Sequence, residues 1–282
     1  MSSPATSAPT RLRQIALVSL NLKRAEHLLT KVIGTEVVFV DPGVEKWGLE
    51  NILVGIGGDF IEVVSPTKPN TTAGRLLSKR GDGGYMIIMQ TVDARQQRAH
   101  IESRDLGKVI YMHEHEDSVC IQYHPKGIRG GVIPELDSYE ATPANPTPVT
   151  SRFSPWHACG KNYSSYSKGM NNTADLYLTG VTCRLAPGDK DIDAALDQWK
   201  ATFGIAGNRD YLQFTNVSMR FLPGMEGQSA GLMDITIAVQ GEERLKEIFD
   251  RARELNVPSG DGWVDMLGVR WRFVKKEDGS KL

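Results

Sequence analysis

The sequence predicts an α+β fold built from two copies of a strand–helix–three-strand unit, followed by a shortened copy of the pair. Three observations predict it. Strand-like and helix-like patterns follow the order βαβββ twice between residues 11 and 137. Landmarks of the two copies keep step: Gly34 to Gly107 spans 73 positions, Asn21 to Asp93 spans 72, and Glu62 to Glu135 spans 73. The pattern then resumes in shorter form from residue 178.

Residues 11–19 (RLRQIALVS) alternate and are β-branched enough for a strand. Asn21 is an N-cap before LKRAEHLLTKVIG, in which Leu22, Ala25, Leu28, Leu29 and Val32 share a face and Gly34 closes the helix. Residues 36–40, 51–56 and 60–64 read as strands, with Gly57, Gly58 and Asp59 as a hairpin turn. In the second copy, residues 85–91 form a strand and Asp93 caps a helix through Leu106, which Gly107 stops. Residues 108–113, 118–123 and 131–136 supply its three strands. Residues 138–177, with four prolines between Pro143 and Pro155, are a linker or lid. Beyond it come a strand (178–185), a helix (191–203), one or two strands (212–222), a strand (232–239), a helix (242–255) and a strand pair (263–274). The expected organisation is a frayed tail at 1–10, a first domain at 11–137 (units 11–66 and 83–137), the linker, and a degenerate second domain at 178–282.

Composition excludes several classes. The 282 residues are 40% hydrophobic and 24% charged, which is globular and suits two domains. Lys and Arg total 33 against 34 Asp and Glu, so a net charge of −1 gives no general pull toward nucleic acid or anionic membrane. No window approaches the roughly 18–20 apolar residues a membrane span needs. The opening ten residues lack the basic and apolar regions of a signal peptide. Cys120, Cys159 and Cys183 are scattered and odd in number, which predicts a reducing, cytoplasmic setting without a disulfide scaffold.

The openings and endings of the two units, QIALVSLNLKRA, GDFIEVVSP and IQYHPKGIRGGVIPELD, resemble the vicinal oxygen chelate superfamily. That group includes glyoxalase I, methylmalonyl-CoA epimerase, extradiol dioxygenases and bleomycin-resistance proteins. The stretches FIEVVSP, AGR, GDGGYMIIMQ and HPKGIRGG are most similar to its glyoxalase-like domain proteins. The resemblance covers about the first 140 residues. It implies paired units that curl into a mixed sheet around a cleft, and a metal held near the first and last strand of each unit. Carried over by position, the metal residues are Gln14 and Glu62 from the first unit and Glu135 from the second, with Met86 at the fourth place.

Oxygen donors at Gln14, Glu62 and Glu135 suit a divalent metal (Mg, Mn, Fe, Ni or Zn), whereas a thioether at Met86 does not. A metal-free polar cluster of Gln14, Glu62 and Gln90 is the competing reading. Catalysis would fall to Glu62, Glu135 and His124 as acid–base groups. Arg75, Tyr85, Met86, Gln90 and Trp47 are the candidate substrate contacts. Trp156, His157 and Cys159 could cap the cleft from the linker. His113 and His115 have the spacing of a metal pair but read as an exposed hairpin tip. In the second half, Asp234 or Thr236 falls at the Gln14 place and Arg270 or Arg272 at the final carboxylate place, which would repel a metal.

The expected function is a glyoxalase-like enzyme, a lyase, isomerase or epimerase acting on a small oxygenated carbonyl or carboxylate compound. The alternative is metal-free sequestration of a small molecule, as in bleomycin-resistance proteins. An extradiol dioxygenase would need two histidines that the strands do not supply. The partner is a small molecule, with neither nucleic acid nor membrane, and the chain is a pseudo-symmetric monomer or a homodimer.

Overall fold

The computed structural model describes residues 8–277. One sheet is formed by β1 (Arg11–Val18), β2 (Val37–Phe39), β3 (Leu49–Ile56), β4 (Asp59–Pro66), β5 (Gly83–Thr91), β6 (Val109–Glu114), β7 (Ser118–Tyr123) and β8 (Ile133–Tyr139). Their order across the sheet is β2-β3-β4-β1-β5-β8-β7-β6. β1 runs parallel to β4 and β5 runs parallel to β8, while β1 and β5 pair antiparallel and join the two units edge to edge. A second sheet repeats this order with β9 (Leu176–Arg184), β10 (Ala206–Gly207), β11 (Leu212–Gln213), β12 (Ser218–Leu222), β13 (Gly231–Val239), β14 (Ser259–Gly260), β15 (Trp263–Met266) and β16 (Val269–Lys275). Each half therefore completes its own sheet. The second copy is shortened in strand length and not in strand number: its edges shrink to two-residue strands that sequence patterning cannot register.

The helices follow from their caps. Asn21 accepts from the Arg24 amide and starts α1 (Leu22–Leu28), which runs into a π-helical turn that Gly34 ends at φ 78°. Thr71 accepts from Gly74 and starts α2 (Thr72–Arg80), which joins the two units. Asp93 caps α3 (Ala94–Ser103), which stops short of Leu106 because Asp105 turns to φ 53°. The linker carries α4 (Tyr163–Asn172), and the second half carries α5 (Ile192–Phe203) and α6 (Glu242–Glu254).

One face of each sheet packs with helices into a core that runs through both halves, from Leu12, Ile15 and Leu17 on β1 to Ile235, Ile237 and Trp271. The other face of the first sheet packs against the linker in a second cluster. There Ala16, Phe60, Met86 and Ile88 meet Trp156, Cys159, Tyr166 and Met170. The linker is pinned where it crosses the β3–β4 turn. Arg11 donates to the carbonyls of Ser151 and Arg152, and Gly57 donates to Thr173 Oγ1. A Cβ at Gly58 would stand 1.8 Å from the Arg152 carbonyl, so this crossing requires glycine. Of the expected tail, residues 1–7 lie outside the described residues. Thr10 is buried, and its carbonyl accepts from the Thr215 amide. Among the described residues, no helix is long and apolar enough to cross a membrane.

Candidate functional site

The first sheet and the linker enclose a cavity of about 1080 Å³. Register builds its floor. Gln14 on β1 lies across from Ile88 on β5, which faces Glu135 on β8, which faces Gln122 on β7. One row further along, Glu62 on β4 pairs with Ala16, and Ala16 with Met86. Gln14, Glu62, Tyr85, Met86, Glu135 and Trp47 all line the cavity, together with Trp156 and His157 from the linker.

The two carboxylates are related by the repeat, and each is held by an amide. Glu62 Oε1 accepts from Asn51 Nδ2 at 2.6 Å and its Oε2 from Gln14 Nε2 at 2.9 Å. Glu135 Oε2 accepts from Gln122 Nε2 at 2.6 Å, which leaves Oε1 open to the cavity. Burial raises the proton affinity of both against these hydrogen bonds, and Glu135 reaches a pKa of about 7, with the Glu62 charge adding to its rise. Burial likewise holds Tyr85 in its neutral, proton-donating form.

Gln14 is not turned as a metal ligand. The Trp156 indole N–H donates to its Oε1 at 2.6 Å. An indole can only donate, so this bond fixes the amide with its nitrogen toward Glu62. With the Gln14 oxygen held by Trp156 and a thioether at the fourth place, the expected positions offer a hard divalent ion only the hydrogen-bonded carboxylates of Glu62 and Glu135. Three other expected residues lie outside the lining. His124 is exposed beyond β7, its Nδ1 accepting from the Lys126 amide, because the strand ends before it. Arg75 is exposed on α2 and donates to the Asn70 carbonyl and Thr72 Oγ1. Gln90 is buried and donates to the Pro148 carbonyl of the linker.

A second group of polar residues adjoins the cavity, in which Asp137 and Cys120 join histidines already named from the sequence. Asp137 lies two residues beyond Glu135 on β8 and therefore on the same face. Cys120 is its cross-strand neighbour on β7, and His113 that of Cys120 on β6. His157 comes down from the linker, its Nε2 3.5 Å from Asp137 Oδ2. Burial pushes His157 down to about 3 and Asp137 well up, which holds each toward its neutral form. His113 and His115 stand at the cavity mouth, where Trp47 packs edge-on against Tyr111 at 5.5 Å. The alternation E-L-D in 135–137 was the available signal for Asp137. Cys159 is buried and burial raises its thiol, which leaves no nucleophile there.

Two units of βαβββ, joined antiparallel through their first strands and repeated within one chain, define the vicinal oxygen chelate fold. One solved structure has this fold along nearly the whole chain. A mutant of 4-hydroxymandelate synthase from Streptomyces coelicolor is 12% identical over 98% of this chain and 94% of that one, with a TM-score of 0.67. Methylmalonyl-CoA epimerase from Streptomyces coelicolor is 23% identical over 48% of this chain and 100% of that one, with a TM-score of 0.42. The Mycobacterium tuberculosis epimerase is 22% identical over 49% of this chain and 93% of its own, with a TM-score of 0.43. No family model and no curated protein matches the chain.

Proposed function

We propose that the chain is a glyoxalase-like acid–base enzyme, of lyase, isomerase or epimerase type, acting in the first half on a small oxygenated carbonyl or carboxylate compound. The observation that carries this is the placement of Glu62 and Glu135. They occupy repeat-related positions on the floor of one cavity, each oriented by an amide, with one oxygen of Glu135 left open. Glu135 is the group that takes or returns a proton at carbon. Glu62, held from both sides, is the fixed partner, and neutral Tyr85 donates to the substrate oxygen on which charge develops. Trp47 and Met86 supply apolar wall. Three free buried cysteines fit a cytoplasmic protein, and self-contained halves fit a pseudo-symmetric monomer.

The aromatic lining, which includes Trp47, Tyr111, Tyr139 and Trp156, supports a second reading, sequestration of a small molecule without turnover. One experiment separates the two. The protein is incubated in D₂O with 2-oxo acids, 2-hydroxy ketones and 2-substituted malonyl thioesters, and loss of the carbon-bound proton is followed by NMR. The enzyme reading expects exchange with one class, slowed about 10²- to 10⁴-fold in Glu135→Gln. A compound that binds tightly, exchanges no proton and binds Glu135→Gln equally would establish sequestration instead.

A further inference from the structure

Asp137 is fully buried, yet neither of its carboxylate oxygens has a hydrogen-bond partner. Buried polar groups almost always find one. The nearest candidate, Gln90 across from it on β5, gives its amide nitrogen to Pro148 and leaves its own Oε1 unpartnered. What surrounds Asp137 is a set of metal donors. One atom each from Cys120, Glu135, Asp137 and His157 can be chosen so that all lie within 4.8 Å of one another.

We propose that Cys120, Glu135, Asp137 and His157 bind one divalent ion of the zinc class at the wall of the cavity, sharing only Glu135 with the positions that the superfamily resemblance implied. The donor types argue for it: a thiol, an imidazole and two carboxylates form a borderline set that suits Zn²⁺ and not Mg²⁺ or Ca²⁺. The spacing argues for it too. Nitrogen and oxygen ligands about 2.0–2.2 Å from a tetrahedral zinc stand about 3.3–3.5 Å apart. His157 Nε2 and Asp137 Oδ2 are 3.5 Å apart, long for a hydrogen bond and right for two ligands of one ion. Outer contacts that orient such ligands are already present. The Tyr139 hydroxyl meets His157 Nδ1 at 2.7 Å, and Gln122 holds the far oxygen of Glu135. Cys120, Glu135 and His157 line the cavity, so an ion can enter from it, with Asp137 as the deep ligand. The ion would also tether the linker, through His157, to β7 and β8. The inference shares Glu135 with the acid–base reading, but it needs only the donors and is read by metal content, whereas that reading is tested by proton exchange.

The test uses the full chain stripped with a chelator and titrated first with Co²⁺ and then with Zn²⁺. One equivalent of Co²⁺ is expected to bind with a thiolate-to-cobalt charge-transfer band, and Zn²⁺ to displace it. Asp137→Asn should weaken Zn²⁺ binding about 10- to 100-fold. It should still fold without metal, because it removes an unpaired buried acid, and circular dichroism checks this. Cys120→Ser should abolish the charge-transfer band, which tests the site even if Asp137→Asn were unfolded. Glu62→Gln should leave affinity within about twofold. Three results would each overturn the proposal: no stoichiometric ion in the wild type, an ion indifferent to Cys120→Ser and Asp137→Asn, or an ion lost in Glu62→Gln, which would return it to the Gln14 and Glu62 positions.

Discussion

At the strand positions where the first half carries Glu62 and Glu135, the second carries Arg272 and Arg220. The registers make the equivalence: Ala16 pairs with Glu62 as Thr236 pairs with Arg272, and Ile88 pairs with Glu135 as Thr182 pairs with Arg220. Both β1 and β13 have an irregularity just before the equivalent residues Gln14 and Asp234. Even the cross-strand bond is kept, with donor and acceptor exchanged between the strands. Gln14 donates to Glu62 at 2.9 Å, whereas Arg272 donates to Asp234 at 2.7 Å. The halves differ in what lies over these residues. Trp156, Tyr166 and Met170 cover the first sheet and leave its polar groups buried, whereas Arg220 and Arg272 are exposed. The same sheet thus makes a site in one half and a solvated face in the other, and the linker makes the difference.

Removing that cover is the largest test of the comparison. Trp156 is almost fully buried, donates to Gln14 and stacks 5.4 Å from the Arg13 guanidinium, which is itself buried. Trp156→Ala should cost about 3–5 kcal/mol in denaturant unfolding, the range for deleting a large core side chain. It should also free Gln14 to turn, so that metal affinity at the Glu62 side can be compared between this variant and the wild type. A cost below about 1 kcal/mol would mean that the linker lies on the sheet without being part of its packing.

The fold was legible because its signals are local and repeat. Caps at Asn21, Asp93 and Asp191, the glycine stops and the offset between Glu62 and Glu135 each report on a few neighbouring residues. Placing Glu62 and Glu135 over one cavity followed from the superfamily resemblance, which carried both positions to the last strands of their units. What escaped depends on contacts far apart in the chain. The orientation of the Gln14 amide is set by Trp156, 142 residues away, and no pattern near Gln14 carries that. Asp137 needs His157 from the linker and Cys120 from another strand to become anything but a strand residue. His124 differs for a local reason: β7 ends at Tyr123, as expected, and the turn beyond it leaves the imidazole exposed.

The charge reversal has its own signature in pH. Burial raises the proton affinity of Glu62 above its ordinary value of 4.5. A carboxyl of that kind favours the folded state fully below its unfolded pKa and gives up the contribution as pH rises through the folded one. Glu62→Gln lacks the group. Its stability relative to wild type should therefore shift in the variant's favour as pH rises above about 4. Arg272→Gln should run parallel to wild type over the same range, because a guanidinium stays charged throughout. Urea midpoints measured at several pH values read both; parallel curves for Glu62→Gln would mean that Glu62 is hydrated.

The smallest effect belongs to the second half. The Arg272 side chain is 48% exposed where it meets Asp234, so water screens the pair and replaces either partner when the other is lost. Arg272→Ala should cost under about 1 kcal/mol, and the cost should shrink further at high salt. The same bond geometry beneath the linker, between Gln14 and Glu62, has no water to substitute for a missing partner, so truncating Gln14 should cost more than truncating Arg272. An Arg272→Ala loss as large as that of Trp156→Ala, or one that ignores salt, would mean the second face is covered as well, and the contrast between the halves would have to be sought in the side chains alone.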